Sequence, residues 1–355
     1  MARIAYRRHP HSPHPATTLW AALTVSVLPF AAACAPAPPP PQEQLSARTT
    51  HHELLPPGAY LDEPGEEPGE ASQPADWPGS LRPDDKTPEE RIPEIYKRGR
   101  IIVGVDQSQY LLSFRDNASG ELKGFEVDLA REIAKDIFGD PDPGRVDFRF
   151  IDSTMRTEAI VSGQVDIVVR TMSITKKRLE AIDFSAPYLD SSVRMLVPAA
   201  LGIESTSDIT DERICVADGS NVVDMARRTF PEQEILRTRT WTDCLVALQQ
   251  FQTGALLGDE TILAGAAAQD PLTTVTGEAI ADQQYSVGIP KGNDGLTRQV
   301  NSTLERIRRD GTWDSMFNRW LSPHIGARSA PALTYRPEET DNPDEPDTPD
   351  TAEGE

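Results

Sequence analysis

The residues best suited to chemistry fall in RTMSITKKR, residues 170–178, which follows directly on the apolar run VDIVV. Thr175 has the chemistry of an N-cap, which places Lys176, Lys177 and Arg178 in the first turn of a helix. Cations at that end oppose the helix dipole by about a few tenths of a kcal/mol each, so local helix physics does not ask for them. A small anion would reverse the balance. It would accept hydrogen bonds from free backbone N–H groups and from Ser173, and a bidentate fork from Arg178. Lys176 and Lys177 read as solvated surface. A second feature, GALLGDETILAG (residues 254–265), sets Asp259 between an apolar run and a helix-like segment. By itself Asp259 is an ordinary N-cap. Across a cleft from Arg178 it would hold an ammonium while the arginine holds a carboxylate, the minimum for clamping an α-amino acid. Arg170 ends the apolar run, and strand alternation turns it either into the same site or away from it. Both orientations stay open.

The elements that must position these groups follow from periodicity. IIVGVD (101–106) reads as a buried strand. GFEVDLAREIAKDI (124–137) reads as a helix, with Phe125, Leu129, Ile133 and Ile137 at i+4 spacing. VDFRFID and VDIVV read as strands, with the helix MRTEAIVSG between them. After the extended run PYLDSSVRMLVP (187–198) the pattern begins again: RICVA, helix NVVDMARRTF, EILRT, helix TDCLVALQQF, ALLGD. A second extended run, QYSVGIP (284–290), leads into two closing helices. Two βαβ blocks joined by two crossings predict an α/β protein with two lobes, a cleft between them, and a hinge near residues 192–197 and 284–289. Ligands in such folds favour the carboxyl ends of strands and the space between lobes. Asp106, residues 170–173, the turn 218–221 and Asp259 all fall there.

The formal net charge of −21 and the 31 prolines are concentrated at the ends. Residues 35–90 and 331–355 are dense in Pro, Asp and Glu and bury too little apolar surface to offset the entropy of ordering. Residues 34–92 are therefore expected to be a disordered linker and residues 324–355 a disordered acidic tail. Nothing forms a basic stripe, and acidic tails repel phosphate, so nucleic acid is excluded as a partner. At the N-terminus Arg3, Arg7 and Arg8 precede LWAALTVSVLPFAAAC, which is too short for a stable span and reads as a targeting segment over residues 1–33. The small residues before Cys34 resemble a bacterial lipoprotein signal, with Cys34 lipidated, although Ala31 stands where leucine is usual. Pro-rich chain after it would act as a spacer from the membrane. Cys215 and Cys244 would then lie in an oxidising compartment, where a bridge across about 30 residues contributes on the order of 3 kcal/mol. No metal-ligand spacing is present, and no cofactor is expected.

At the residues of GFEVDLAREIAKDI the chain resembles the signature of the family 3 extracellular solute-binding proteins of amino-acid ABC transporters. The resemblance continues through GQVDIVVRTMSITKKRLEAIDFSAPY, ICVADGSNV, LLGDETILAG, YSVGIPKGNDGL and RRDGTWDSMFNRWL. DCLVAL, GDETILAG and the position of Cys215 are most similar to the actinobacterial glutamate/glutamine-binding lipoprotein branch, in which cysteines so placed would pair. The resemblance implies a type II periplasmic-binding fold, with residues 93–190 plus 286–323 as lobe 1 and 191–285 as lobe 2. It also implies that Arg178 pairs with a ligand α-carboxylate, helped by Ser173 and the backbone at Thr171, and that Asp259 accepts the α-ammonium. Asp106 would meet the ligand side chain, Tyr110 or Phe114 would supply an aromatic wall, and the turn carrying Ser220 and Asn221 would close from lobe 2. Ala217, Gly258 and Arg170 depart from many relatives at positions that set specificity. Asp106 suits an amide and Arg170 an acid, so glutamine and glutamate stay joint expectations, with asparagine and aspartate behind them. The expected role is a lipid-anchored monomer on the extracytoplasmic membrane face, delivering an amino acid to an ABC permease. A sensor presenting its ligand to a membrane receptor is the alternative, and an exported dehydratase a third reading. No acid–base pair beyond Asp106 and Asp259 supports an enzyme.

Overall fold

Runs that are apolar at every position become parallel strands buried on both faces. Ile214–Ala217 is such a run, and Ala255–Asp259 is one up to its terminal aspartate; both are buried throughout, and they flank each other as parallel strands. The computed structural model describes residues 54–69, 76–140 and 142–338, and within them it forms two mixed sheets. One has five strands, with Ile101–Val105 parallel to Val146–Phe150 on one side and to Ile167–Val168 on the other. Gly288–Pro290 and Ile182–Phe184 complete it in antiparallel pairing. The other has six strands in the order Tyr60–Asp62, Ile235–Thr238, Ile214–Ala217, Ala255–Asp259, Leu189–Pro198, Thr273–Tyr285. These are the two α/β lobes expected from the two βαβ blocks.

Helices cover the sheets along their apolar stripes. Phe125–Phe138 buries Phe125, Leu129, Ile133 and Ile137, the i+4 series read from the sequence, and ends on Gly139 in the left-handed region. The closing helices Asp294–Arg309 and Thr312–Trp320 return to the first lobe, where buried Trp313 donates from Nε1 to Tyr188 O at 2.8 Å. In the second lobe Cys215 and Cys244 form a disulfide with Cα atoms 5.6 Å apart, fastening the helix Trp241–Gln249 to its central strand.

Two expectations change. The hinge does not run through residues 192–197, because these pair on both sides inside the six-stranded sheet: Val193 lies opposite Asp259 and Ala281, Leu196 opposite Leu256 and Val275. The crossings are instead the short links between Ile182–Phe184 and Leu189–Pro198, and between Thr273–Tyr285 and Gly288–Pro290. The expected linker 34–92 and tail 324–355 also contain ordered elements among their described residues. Tyr60–Asp62 adds an antiparallel edge strand beside Ile235–Thr238, Leu81 and Ile92 are buried, and Ser80 bridges to Tyr335. Composition averaged over these segments hid short apolar pieces, Leu55, Ala59, Leu61, Leu333 and Tyr335, that pack against the main core. The targeting segment 1–33 and Cys34 lie outside the described residues.

Candidate functional site

The lobes touch across their cleft, and glycines make the approach feasible. A Cβ at Gly219 would sit 2.7 Å from the Thr154 backbone, and one at Gly265 would sit 2.3 Å from Tyr110 O. Thr242 Oγ1 donates to Ser108 O at 3.1 Å, and Arg239 pairs with Asp152 at 3.4 Å. This is the closed arrangement of the two lobes. Between them lies a cavity of 650 Å³ whose walls include Ser153, Thr154 and Arg178 from one lobe and Gly219, Ser220 and Asn221 from the other.

At the first-lobe side Thr175 caps the helix Lys176–Ala181, accepting from Arg178 N at 3.4 Å, while Lys176 and Lys177 are exposed. Arg178 donates from Nη1 to Ser173 O at 2.6 Å and from Nη2 to Gly219 O at 3.3 Å. Ser173 is 4% exposed, and its hydroxyl has no protein partner. A second arginine, Arg156, joins this corner. It donates to Ser153 O at 3.0 Å, to Arg170 O and Thr171 O at 3.1 Å each, and to Gly219 O at 3.0 Å. All its partners are carbonyls. Two guanidiniums from one lobe thus converge on a single carbonyl of the other. Burial, then the neighbouring charges of Arg178 and Arg170, push the Arg156 guanidinium well below its ordinary value. Burial pushes Arg178 down to about 10, with Asp259 pulling the other way. A corner holding buried cations bonded to carbonyls favours an anion, because a carboxylate would repay desolvation that carbonyl dipoles offset only in part.

Asp259 ends the strand Ala255–Asp259 and stands at the N-cap position of Glu260–Gln269, but its side chain makes no capping bond. It is 4% exposed, and Oδ1 has no protein partner. Burial raises its pKa to about 6, against the opposing Tyr285 hydrogen bond and the charges of Arg156 and Arg178. A buried carboxylate with an open acceptor is a cation site as much as a cap.

Asp106 and Arg170 find each other. Asp106 Oδ1 accepts from the Gln107 and Ser108 amides at 2.7 Å each and from Ser108 Oγ at 2.8 Å, and its Oδ2 pairs with Arg170 Nη2. Arg170, fully buried, also donates to Ser153 Oγ at 2.7 Å. The two charges expected to compete for a ligand side chain therefore cancel one another. The backbone N–H of Thr171, expected to help with a ligand carboxylate, is already donated to Glu126 Oε1 at 2.6 Å. That oxygen also accepts from Tyr188 Oη at 2.5 Å. Thr171 holds a φ of 39°, a left-handed conformation costly for a β-branched residue. Of the two aromatic candidates, Phe114 packs edge-on against Trp320, with centroids 5.9 Å apart, within the first lobe. Tyr110 faces the second lobe beside Trp241 and Ile262. Ser220 Oγ donates to Ala217 O at 2.7 Å, and Asn221 Nδ2 donates to Gln283 Oε1 at 3.0 Å. Those two side chains hold their own turn. At Gly258 a Cβ would lie 3.0 Å from Trp241 Cζ3, so the indole occupies space that a larger residue there would need.

Arg156 and Glu126 were absent from the expected site. Each carried a usable signal: Glu126 shares an i+4 row with the buried Ala130 and Ala134, and Arg156 lies four residues before the buried Ile160, so both occupy apolar helix faces. A charged residue on such a face needs a partner or a role.

The family model of the bacterial extracellular solute-binding proteins, family 3, matches residues 101–323. The ABC transporter glutamine-binding protein GlnH of Bacillus subtilis is 29% identical over 228 residues, 64% of this chain and 83% of that protein. The glutamate-binding protein GluB of Corynebacterium efficiens is 30% identical over 243 residues, 66% of this chain and 81% of that protein. Among solved structures, a solute receptor for L-cysteine of Neisseria gonorrhoeae superposes with a TM-score of 0.61 at 26% identity, covering 68% of this chain and 96% of that one.

Proposed function

Because the chain belongs to the bacterial extracellular solute-binding proteins, family 3, we propose that its solute is a polar α-amino acid. The observation that carries this reading is the pairing of unmet groups across the cleft. Ser173 Oγ and the carbonyl-bound Arg178 stand on one lobe, and the open oxygen of buried Asp259 stands on the other. An α-carboxylate and an α-ammonium satisfy both at once, and only when the lobes are closed. The ligand thus favours the closed form by the difference in its contacts. Glutamine and glutamate are the leading ligands, by analogy with the relatives named above, with asparagine and aspartate next. The Asp106–Arg170 pair contributes no net charge, so charge at those two residues does not choose acid over amide.

In this reading the protein binds without turnover, is a monomer lipidated at Cys34, and presents the closed, loaded form to an ABC importer. A thermal-shift screen of the full chain against the twenty amino acids tests the ligand class, since a ligand bound only to the folded form raises stability with the logarithm of its concentration. Stabilisation by one or more polar amino acids is expected. No shift from any of the twenty would overturn the reading.

A further inference from the structure

The family match begins at residue 101, yet the strand Tyr60–Asp62, far upstream of it, reaches the turn that closes the site. Residues i and i+2 of a strand face the same side, so Tyr60 and Asp62 point together and Leu61 points opposite, into the core. Tyr60 lies directly across from Arg237 in the antiparallel ladder. Its ring sits 4.8 Å beneath the Arg237 guanidinium carbon, a cation–π contact that fixes the plane of the fork. Asp62, only 3% exposed, is shared by Arg227 and by Arg237, the latter at 3.4 Å. The other terminal nitrogen of Arg237 bonds Asp218. Asp218 opens the turn whose next residue, Gly219, offers its carbonyl to Arg156 and Arg178. Asp218, Arg227 and Arg237 line the same 650 Å³ cavity as Arg178 and Ser220.

The extension is fastened to both lobes. On the second lobe, besides the strand, Glu66 pairs with Arg227 at 2.6 Å and Gly65 N donates to Pro231 O at 2.9 Å. On the first lobe, Ser80 Oγ donates to Phe184 O at 2.7 Å, and Asn301 Nδ2 donates to Ser80 Oγ at 2.8 Å and to Leu81 O at 2.7 Å. Arg237 without Asp62 would keep Asp218 and the face of Tyr60 but lose its buried counter-charge, and the turn would be tied to a less firmly anchored side chain.

We infer that Asp62, Tyr60 and Arg237 are positioning residues for ligand retention: the N-terminal extension holds Arg237, Arg237 holds Asp218, and the turn keeps Gly219 O in place against Arg156 and Arg178. The retention half of this inference rests on the amino-acid reading, and the positioning half does not. The extension slows opening of the loaded cleft rather than contacting the ligand.

The full chain and its Asp62→Asn, Tyr60→Leu and Arg237→Met variants are compared in two measurements. Hydrogen exchange of the empty proteins, read on the peptide covering residues 217–221, should accelerate about fivefold or more in Asp62→Asn and Arg237→Met, with the helix Asp294–Arg309 unchanged as an internal reference. Stopped-flow release of glutamine, or of whichever amino acid stabilises the wild type, should quicken by a similar factor while association stays within about twofold. The Asp62→Asn/Arg237→Met double variant should release no faster than Arg237→Met alone, because both act through one chain of contacts. Unchanged exchange in the turn overturns the positioning claim whether or not a ligand is known. Faster exchange with unchanged release overturns the retention claim. Failure of every amino acid to bind the wild type would fall on the amino-acid reading, leaving the exchange result to decide positioning.

Discussion

Lowering pH from 7.5 to 5 should weaken ligand binding about tenfold, through Asp259 alone. In the folded protein the pKa of this carboxyl is pushed up to about 6, because burial outweighs its bond to Tyr285 and the attraction of Arg156 and Arg178. In the unfolded chain the reference value is 3.8. The folded form therefore holds the Asp259 proton more tightly than the unfolded chain does. That leaves a stability penalty absent below about pH 4, growing between 4 and 6, and fully present above 6. Two pK units correspond to roughly 3 kcal/mol. An α-ammonium beside Oδ1 supplies the missing counter-charge and brings the pKa back down, so binding above pH 6 relieves the penalty. Below 6 binding must first expel a proton. At pH 5 about one protein in ten has Asp259 ionised, hence the tenfold loss. Glutamine is a suitable probe because its own groups do not titrate in this window. Calorimetry at pH 5 in two buffers of different ionisation enthalpy should register about 0.9 proton released per ligand, and close to none at pH 7.5. Asp259→Asn should bind weakly at both pH values and release no proton. A wild-type affinity that stays level from 7.5 to 5, with no proton released, would refute Asp259 as the buried ammonium acceptor.

Further outcomes follow from the same geometry. Arg178→Ala should lose about 3–5 kcal/mol of binding, at least a hundredfold in affinity by calorimetry, since a ligand carboxylate would be left desolvated without its fork. Asp106→Leu alone should destabilise the fold by about 3–5 kcal/mol in urea titration, because Arg170 would remain buried and unpaired. The Asp106→Leu/Arg170→Met pair should recover the part due to the unpaired arginine, while the Gln107 and Ser108 amides still lack the carboxylate. Replacing Cys215 and Cys244 together by serine should cost on the order of 3 kcal/mol, read from the same titration, with the second lobe affected most.

The legible part of the fold was the part written in periodicity. The i+4 row through Phe125, Leu129, Ile133 and Ile137 and the apolar runs at 101–105 and 255–258 are local patterns, and they folded as read. The hinge was misplaced because an extended run looks the same whether it crosses between lobes or continues as a sheet strand, and only its partners on both sides make residues 192–197 interior. The edge strand Tyr60–Asp62 was hidden for a related reason. Three residues in a Pro- and Glu-rich segment carry no periodic signal, and their stability comes from the edge they join and the two arginines that take up Asp62.

By itself the sequence determined that two α/β blocks face one another, and that a cation-rich helix start and an acidic strand end stand at the ends of their strands. Residue type and short-range spacing suffice for that. Tertiary structure alone decided which charges remain available to a ligand. Asp106 and Arg170 lie 64 residues apart and cancel each other, Arg156 reaches Gly219 across 63 residues, and Asp62 reaches Arg237 across 175. Hydrogen bonds need contact distances, and Coulombic energies depend on separation and on burial. They are therefore properties of the assembled cleft, in which Ser173 and Asp259 keep unpaired oxygens and Arg178 is bonded only to carbonyls.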